Sequence, residues 1–401
     1  MSTYGSLLRT PGVARIIAAQ LTARFPFGML SLAYLIHIET IYHSYGAAGL
    51  VLAATSIGQA ISGPLTSRWM GIWGMRRVLT LTMIICALSI AAIAFLVLPV
   101  AAYMAIGFIG GLSTPPIQPA VRTIYPKMVN SSQLTRLFSL DASAQEIIWV
   151  AGPVITTFVA TQISSTLAIA IAGLFLVGGG TWFILSPEVG RVRIPRSKRR
   201  FGVVLAKPAV LLSTITGLML VAACAAVEAA VVATFGEGGA EAGIVLAIFA
   251  IGSLIGGLAL GHLPIGPWAL ARRMFAVFVG MALAMAFLNF WWLAFALLIA
   301  GIGIAPALAV MFAIVSGTVK FSDTAEAYGW VGTGQLIGAA MGSAVAGFLI
   351  DANGPVGGFW VAAGLAFVGF LIPTVLRRWH PDLRGREASV PDTAPIPTQP
   401  S

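Results

Sequence analysis

Apolar stretches of membrane-crossing length recur about twelve times between Val13 and Trp379. They fall at 13–42, 46–68, 76–98, 100–125, 136–161, 165–186, 209–235, 241–262, 271–290, 291–317, 325–350 and 356–379. In hydrocarbon a backbone survives only if its polar groups pair within the segment, so apolar runs of about 20 residues predict helices. The connections alternate in character. Those after the even-numbered stretches carry Arg68, Arg76, Arg77, Arg136, Arg272, Arg273, Lys320, Arg377 and Arg378. Those after the odd-numbered stretches carry acids instead: Glu237, Glu241 and Asp351. All but one of the 23 Lys and Arg residues can be set on one side of a bilayer, which the positive-inside tendency makes the cytoplasmic side. The expectation is an all-α integral membrane protein of 12 transmembrane helices, N-in and C-in, monomeric, in the cell membrane.

The chain also repeats itself. Ala48–Leu65 reads AGLVLAATSIGQAISGPL and Ala242–Ala259 reads AGIVLAIFAIGSLIGGLA; nine of these 18 positions match at an offset of 194. At an offset of 190, Gly111 and Pro116 fall on Gly301 and Pro306, and Gln145, Ile147 and Gly152 fall on Gln335, Ile337 and Gly342. This predicts a parallel 6+6 repeat, two six-helix bundles around a central path. The expected division is an N-terminal bundle over 1–187, a basic cytoplasmic linker over 188–208, a C-terminal bundle over 209–379 and a tail over 380–401. The tail is rich in Pro, Thr and Asp and is expected to be disordered.

Composition excludes other classes. The chain is 58% hydrophobic and 9% charged with a mean hydropathy of +0.95, more apolar surface than a soluble domain can hide. The net charge of +10 does not indicate nucleic acid. The positive residues lie in connections, as in the cluster Arg191, Arg193, Arg196, Lys198, Arg199 and Arg200, with no aromatic platform beside them. Cys86 and Cys224 lie inside apolar stretches without CxxC or Cys/His spacing, so neither a disulfide framework, a metal site nor a cofactor is expected. The first stretch is too long for a signal-peptide core and no cleavage site follows it, so the chain is expected to insert whole. Trp291 and Trp292 mark a boundary as an interfacial aromatic belt would.

The segment Gly63–Arg77, GPLTSRWMGIWGMRR, resembles the signature loop of the major facilitator superfamily, with Gly63, Leu65, Arg68, Gly74, Arg76 and Arg77 fitting the pattern. The family's acid is replaced by Ser67 and the loop looks stretched. In the family that acid helps lock the two bundles on the inner side, a contact this chain is expected to lack. Gly152-Pro153 resembles the first half of the family's antiporter motif in the fifth helix, with Thr156 and Thr157 where the later glycines stand. Export and a simple packing bend are both compatible with it. The stretch Gly110–Arg122, GGLSTPPIQPAVR, resembles actinobacterial members, and Pro115, Pro116 and Pro119 predict a break in the fourth crossing. The resemblance covers about 13–379 and implies a transporter working by alternating access.

Charges within the apolar stretches are the sharpest local clues, since a charge near the bilayer centre costs about 2.5–3.5 kcal/mol and so pairs or faces water. Arg24 lies midway along the first stretch, Glu146 in the fifth with Asp141 one turn nearer the cytoplasm, and Glu228 in the outer part of the seventh. In a facilitator-like fold the first, fourth, seventh and tenth helices line the cavity and the fifth flanks it, an arrangement in which Arg24 and Glu146 could meet. Such a pair is either a proton or substrate switch, broken when Glu146 is protonated, or a static ion pair. Asp141 is expected to hold basic residues such as Arg76 or Arg122 as an inner lock. Glu228 reads either as a cavity carboxylate or as a snorkelling surface acid. Gln145 and Gln335, at repeat-equivalent positions, either bridge the bundles or join neighbouring helices. Glu39, His37 and His43 read as interfacial. Tyr34, Tyr103, Phe312 and Trp330 are available to pack a ligand.

No GxxxxGK[ST] occurs, so ATP is not the direct drive, and no HExxH or GxSxG supports an enzyme. The leading expectation is proton-coupled export, by antiport, of a small organic or drug-like molecule. Alternatives are uptake or facilitated passage of a sugar or other small solute, and a transport-inactive sensor or lipid-handling protein. The expected partners are the substrate, protons and the lipid bilayer.

Overall fold

The computed structural model of the chain describes residues 2–236 and 240–384, and those residues are helical apart from their connections. Of the tail expected to be disordered, 380–401, residues 385–401 lie outside the described residues. A short helix α1 (Ser2–Arg9) precedes the first crossing, which is made of α2 (Val13–Arg24) and α3 (Leu30–Tyr42) around a 3-10 turn at Phe25–Gly28. Then follow α4 (Tyr45–Trp73), α5 (Met75–Phe95), α6 (Val100–Leu112), α7 (Ile117–Met128), α8 (Ser131–Gln162), α9 (Ser165–Leu185) and the short α10 (Pro187–Arg191). The second half comprises α11 (Pro208–Phe235), α12 (Ala240–Leu260), α13 (Ala269–Ala284), α14 (Phe290–Thr318), α15 (Phe321–Asn353) and α16 (Pro355–Val375). Among the described residues, eleven helical segments are long and apolar enough to cross a membrane. The sixteen-residue α13 stands where the ninth crossing was expected.

Two interruptions fall at membrane depth. The break between α6 and α7 is where Pro115 and Pro116 remove donors and disfavour helix before them. Pro119 sits in the first turn of α7, where the missing N–H has no helical partner to lose. The break in the first crossing, at the sequence FPFG, was not anticipated, although Pro26 and Gly28 mark it. At the other end of α4 the outcome is the reverse. Arg68 lies inside a helix that runs on to Trp73, and the expected stretched loop shrinks to a turn at Gly74, whose φ of 90° suits glycine. The helix continues because Met70 is buried and Trp69 stacks on Trp73 at 5.0 Å. Arg76 and Arg77 open α5, Arg136 lies in α8, and Arg272 and Arg273 lie in α13.

Glycine contacts reproduce the sequence repeat in three dimensions. A Cβ on Gly58 would strike the Phe108 carbonyl and one on Gly111 the Thr55 carbonyl, so α4 and α6 cross with backbones touching. In the second half, Gly252 meets Leu298 and Gly301 meets Phe249, which brings α12 against α14. Each α4 residue corresponds to its α12 partner at offset 194, and each α6 residue to its α14 partner at offset 190. Gly152 against Gly28 corresponds in the same way to Gly342 against Ala222. The halves meet chiefly through α4 against α15 and α8 against α12 and α14.

Candidate functional site

Asp141 on α8 is fully buried and accepts from four side chains. Gln20 Nε2 donates at 2.9 Å, Tyr125 OH at 3.2 Å, Arg24 Nη1 at 3.3 Å and Arg122 Nε at 3.3 Å. Arg24 and Arg122 are 3% and 1% exposed, so both cations are sealed beside one carboxylate. Arg24 also donates to Gln20 Oε1 at 2.7 Å and to Gln145 Oε1. The arrangement follows from the two broken crossings: Arg24 closes α2 at one break, and Gln118 stands in the first turn of α7 at the other. Burial of this many charges is tolerable only because nearly every lone pair is engaged.

Arg24 and Glu146, which the fold would have allowed to meet, do not pair. Asp141, about one turn away, takes Arg24, while Glu146 turns to the other half and accepts from Ser253 Oγ at 2.8 Å. The reason is helical geometry, since neighbours five apart on α8 project in different directions. Glu228 stands on α11. It is exposed on the wall of a cavity of about 630 Å³, with Ala225, Leu246, Ser343 and Ile350 among the lining residues. Tyr34 is buried in α3, away from any hydrogen bond among those described. Gln145 bonds within its own half, and Gln335 packs on Gly217 of its own half with Nε2 unpartnered. His37 ties α3 to α9 and α5 through Ser165 Oγ and the Ile93 carbonyl, both at 3.0 Å.

The halves are joined at the end that carries the arginines. Gly63 and Gly329 bring α4 and α15 into backbone contact, and Thr333 Oγ1 donates to the Ala60 carbonyl at 2.7 Å. Ser139 Oγ donates to the Gly257 carbonyl at 2.5 Å. The Arg122 guanidinium lies 3.3 Å from the Phe312 ring centroid, and Phe138 packs on both Phe312 and Tyr328. The acid missing at Ser67 has a counterpart across the interface. Glu326 of α15 accepts from Arg68 Nη1 at 2.7 Å and from the Gly202 amide at 2.8 Å, so the linker is part of the junction. Arg199 pairs with Asp323 at 3.7 Å. Arg76, expected on Asp141, instead donates to the Ile184 and Ser186 carbonyls, and Arg77 is exposed.

Beyond α16 the chain does not leave the protein at once. The Leu383 amide donates to the Ile265 carbonyl at 3.0 Å, and His380 is 4% exposed. Burial, together with the charge of Arg273, holds the His380 imidazole below its ordinary range against opposing pulls from Pro381 and Asp382. Among the described residues no three His, Cys, Asp or Glu side chains gather as a metal site.

Gln20, Gln118, Tyr125, Ser253 and Glu326 were not singled out from the sequence. Gln118 was recoverable from its place beside the Pro break; Ser253 and Glu326 depend on which helix faces which and left no local signal.

No curated protein matches the chain by sequence. Solved structures do resemble it. The human organic anion transporter MFSD10 (TETRAN) is 17% identical with a TM-score of 0.71, over 90% of this chain and 98% of that one. A bacterial homologue of the iron transporter ferroportin, in an outward-facing state, is 12% identical with a TM-score of 0.72, over 91% and 98%. The proton:xylose symporter XylE is 14% identical with a TM-score of 0.67, over 94% and 97%. At these identities the likeness establishes the fold. The sequence profile of the Major Facilitator Superfamily matches residues 16–290 and 215–399, and with the repeat packing already described it places this membrane protein of many helices as a member of that superfamily of transporters.

Proposed function

We propose that the chain is a secondary transporter that moves a small organic molecule by alternating access, with Glu146 as the proton-carrying group. One contact carries this reading: Glu146 of the first half is held by Ser253 of the second. A group bonded across the surface that must part during the cycle changes its surroundings whenever the halves move, which is what coupling requires. Glu228, on the wall of a cavity in the second half, is a second acid that a proton could use.

The architecture is read as twelve crossings in two six-helix bundles. α13 supplies the ninth at about 24 Å of helix, short but close to the hydrocarbon thickness. The Arg-rich end is read as cytoplasmic, in the cell membrane, and the protein as a monomer. Export by proton antiport is the leading direction, following the Gly152-Pro153 motif, although Gly152 also has a packing role against Gly28. The second reading is proton-coupled or facilitated uptake, favoured by the fold likeness to a proton:xylose symporter.

The test is reconstitution into liposomes with an imposed pH gradient, using a substrate found by thermal-shift screening. Proton flux should depend on substrate, and reversing the gradient distinguishes export from uptake. Glu146→Gln should lose gradient-driven uphill movement while keeping substrate exchange. A Glu146→Gln protein that still concentrates substrate against its gradient would overturn the reading.

A further inference from the structure

The polar cluster of the first half contains a hydrogen-bonding conflict that its own residues do not resolve. Arg24 Nη2 reaches the Gln145 amide at its Oε1 position. That same position lies 3.2 Å from the Nε2 position of Gln118. The Nε2 position of Gln118 in turn faces Arg122 Nη1 at 2.9 Å, Arg122 Nη2 at 2.6 Å and Arg24 Nη2 at 3.0 Å. Guanidinium nitrogens only donate, so both amide positions call for oxygen. Two oxygens 3.2 Å apart then face each other with no proton between them. Turning either amide relieves that contact and points an NH2 at a guanidinium. The three groups form a closed triangle with a fixed donor at one corner, and no choice of amide orientation satisfies all three sides.

Charge leans the same way. Two buried arginines face one buried aspartate, so Arg24, Arg122 and Asp141 sum to one uncompensated positive charge. Glu146, the nearest further acid along α8, is turned to Ser253. The arginines are sealed, whereas Gln118 and Gln145 in front of them are half-buried. Gln118 also stands in the first turn of the twelve-residue α7, at the Pro break, at the positive end of the helix dipole. A buried surplus cation behind two amide oxygens that cannot pair with each other needs an explanation, and an acceptor-only group from outside supplies one.

We propose that Arg24, Arg122, Gln118 and Gln145 seat the carboxylate of a monoanionic organic substrate at the break between α6 and α7. A carboxylate brings two oxygens with no proton, matching the forked geometry of guanidinium. Its oxygens take over guanidinium donors, so one glutamine can turn its NH2 to the ligand while the other keeps its oxygen, and the oxygen–oxygen contact is relieved. The local charge becomes zero. The proposal rests on the transporter reading and deepens it by naming the substrate class.

The experiment is thermal unfolding and calorimetric titration of purified protein in detergent, without any gradient, using benzoate against its neutral analogue benzamide and against chloride. Wild type should bind benzoate saturably and shift its unfolding temperature upward, with no shift from benzamide or chloride. Arg24→Gln should weaken benzoate binding by about tenfold or more. Should that variant fail to fold, Gln118→Glu decides: it fills the seat with the protein's own carboxylate. It should unfold at a higher temperature than wild type and no longer respond to benzoate. Equal binding of benzoate and benzamide, a response to chloride alone, or a Gln118→Glu protein that is less stable or still binds benzoate would each overturn the proposal. Because no gradient is involved, loss of coupling in Glu146→Gln leaves this result untouched, so the two readings fail separately.

Discussion

Replacing Gly329 by Ala tests how the halves are held at the Arg-rich end. A Cβ there would stand 2.5 Å from the Gly63 carbonyl oxygen, 2.7 Å from its carbon and 2.8 Å from Pro64 Cα, all backbone atoms. Backbone in the middle of α4 has no free end to swing away, so the helices must part by roughly 1 Å to restore ordinary contact. Overpacking of this kind costs about 1–3 kcal/mol. The helix-propensity gain of Ala over Gly acts in every conformation in which α15 stays helical, so it does not offset this cost selectively. The penalty falls on the conformation with α4 and α15 in contact and shifts the equilibrium by about 5- to 150-fold toward one in which they separate. Spin labels at Arg77 and Lys320, exposed on opposite halves at the Arg-rich end, should report longer distances in Gly329→Ala. Labels at Leu96 and Asn353, exposed at the other end, should report shorter ones. Gly63→Ala is the internal control. Its Cβ would meet the Gly329 oxygen and Thr333 Oγ1 only at 3.1 Å, so its effect should be smaller. A folded Gly329→Ala protein with unchanged distances, or a larger effect from Gly63→Ala, would refute the reasoning.

Arg24→Ala and Asp141→Asn should be non-additive in thermal unfolding, with an interaction of about 0.5–3 kcal/mol, whereas Arg24→Ala with Glu146→Gln should be nearly additive. The reverse pattern would contradict the pairing described above. The docking of His380–Arg384 should depend on pH. With its folded pKa below the ordinary 6.5, His380 contributes stability that is complete above pH 6.5 and is lost as pH falls through the folded value. Hydrogen exchange at the Leu383 amide should therefore speed up in acid, and His380→Gln should flatten that dependence. Cysteine introduced at Ser197 should react with a membrane-impermeant label only from the cytoplasmic side; labelling from outside would invert the assigned orientation.

The class of this protein was legible because bilayer physics is severe. Apolar length, the placement of arginine and the repeat at offsets of 194 and 190 are one-dimensional signals, and each has a direct structural counterpart. The repeat even carried contact information, since Gly58, Gly111 and Gly152 mark helix crossings that reappear at Gly252, Gly301 and Gly342. Prolines announced the break before α7 for the same local reason. The end of α4 was misread because polarity alone suggested a loop, whereas burial of Met70 and stacking of Trp69 on Trp73 sustain a helix.

Partnership among the buried charges was decided elsewhere. The sequence named Arg24, Asp141, Glu146 and Glu228 as intramembrane charges, but which cation meets which acid depends on the rotation of α8 about its axis and on the neighbours packed around it. Five residues along that helix separate a carboxylate gripped by two arginines from one held by a serine of the other half. The junction of Arg68 with Glu326 joins residues 258 apart in the chain, and the linker amide at Gly202 completes it. Hydropathy and charge are properties of positions and can be read in order. Hydrogen-bond partners, and the unsatisfied triangle of Arg24, Gln145 and Gln118, are properties of relative orientation, which exists only once the helices have packed.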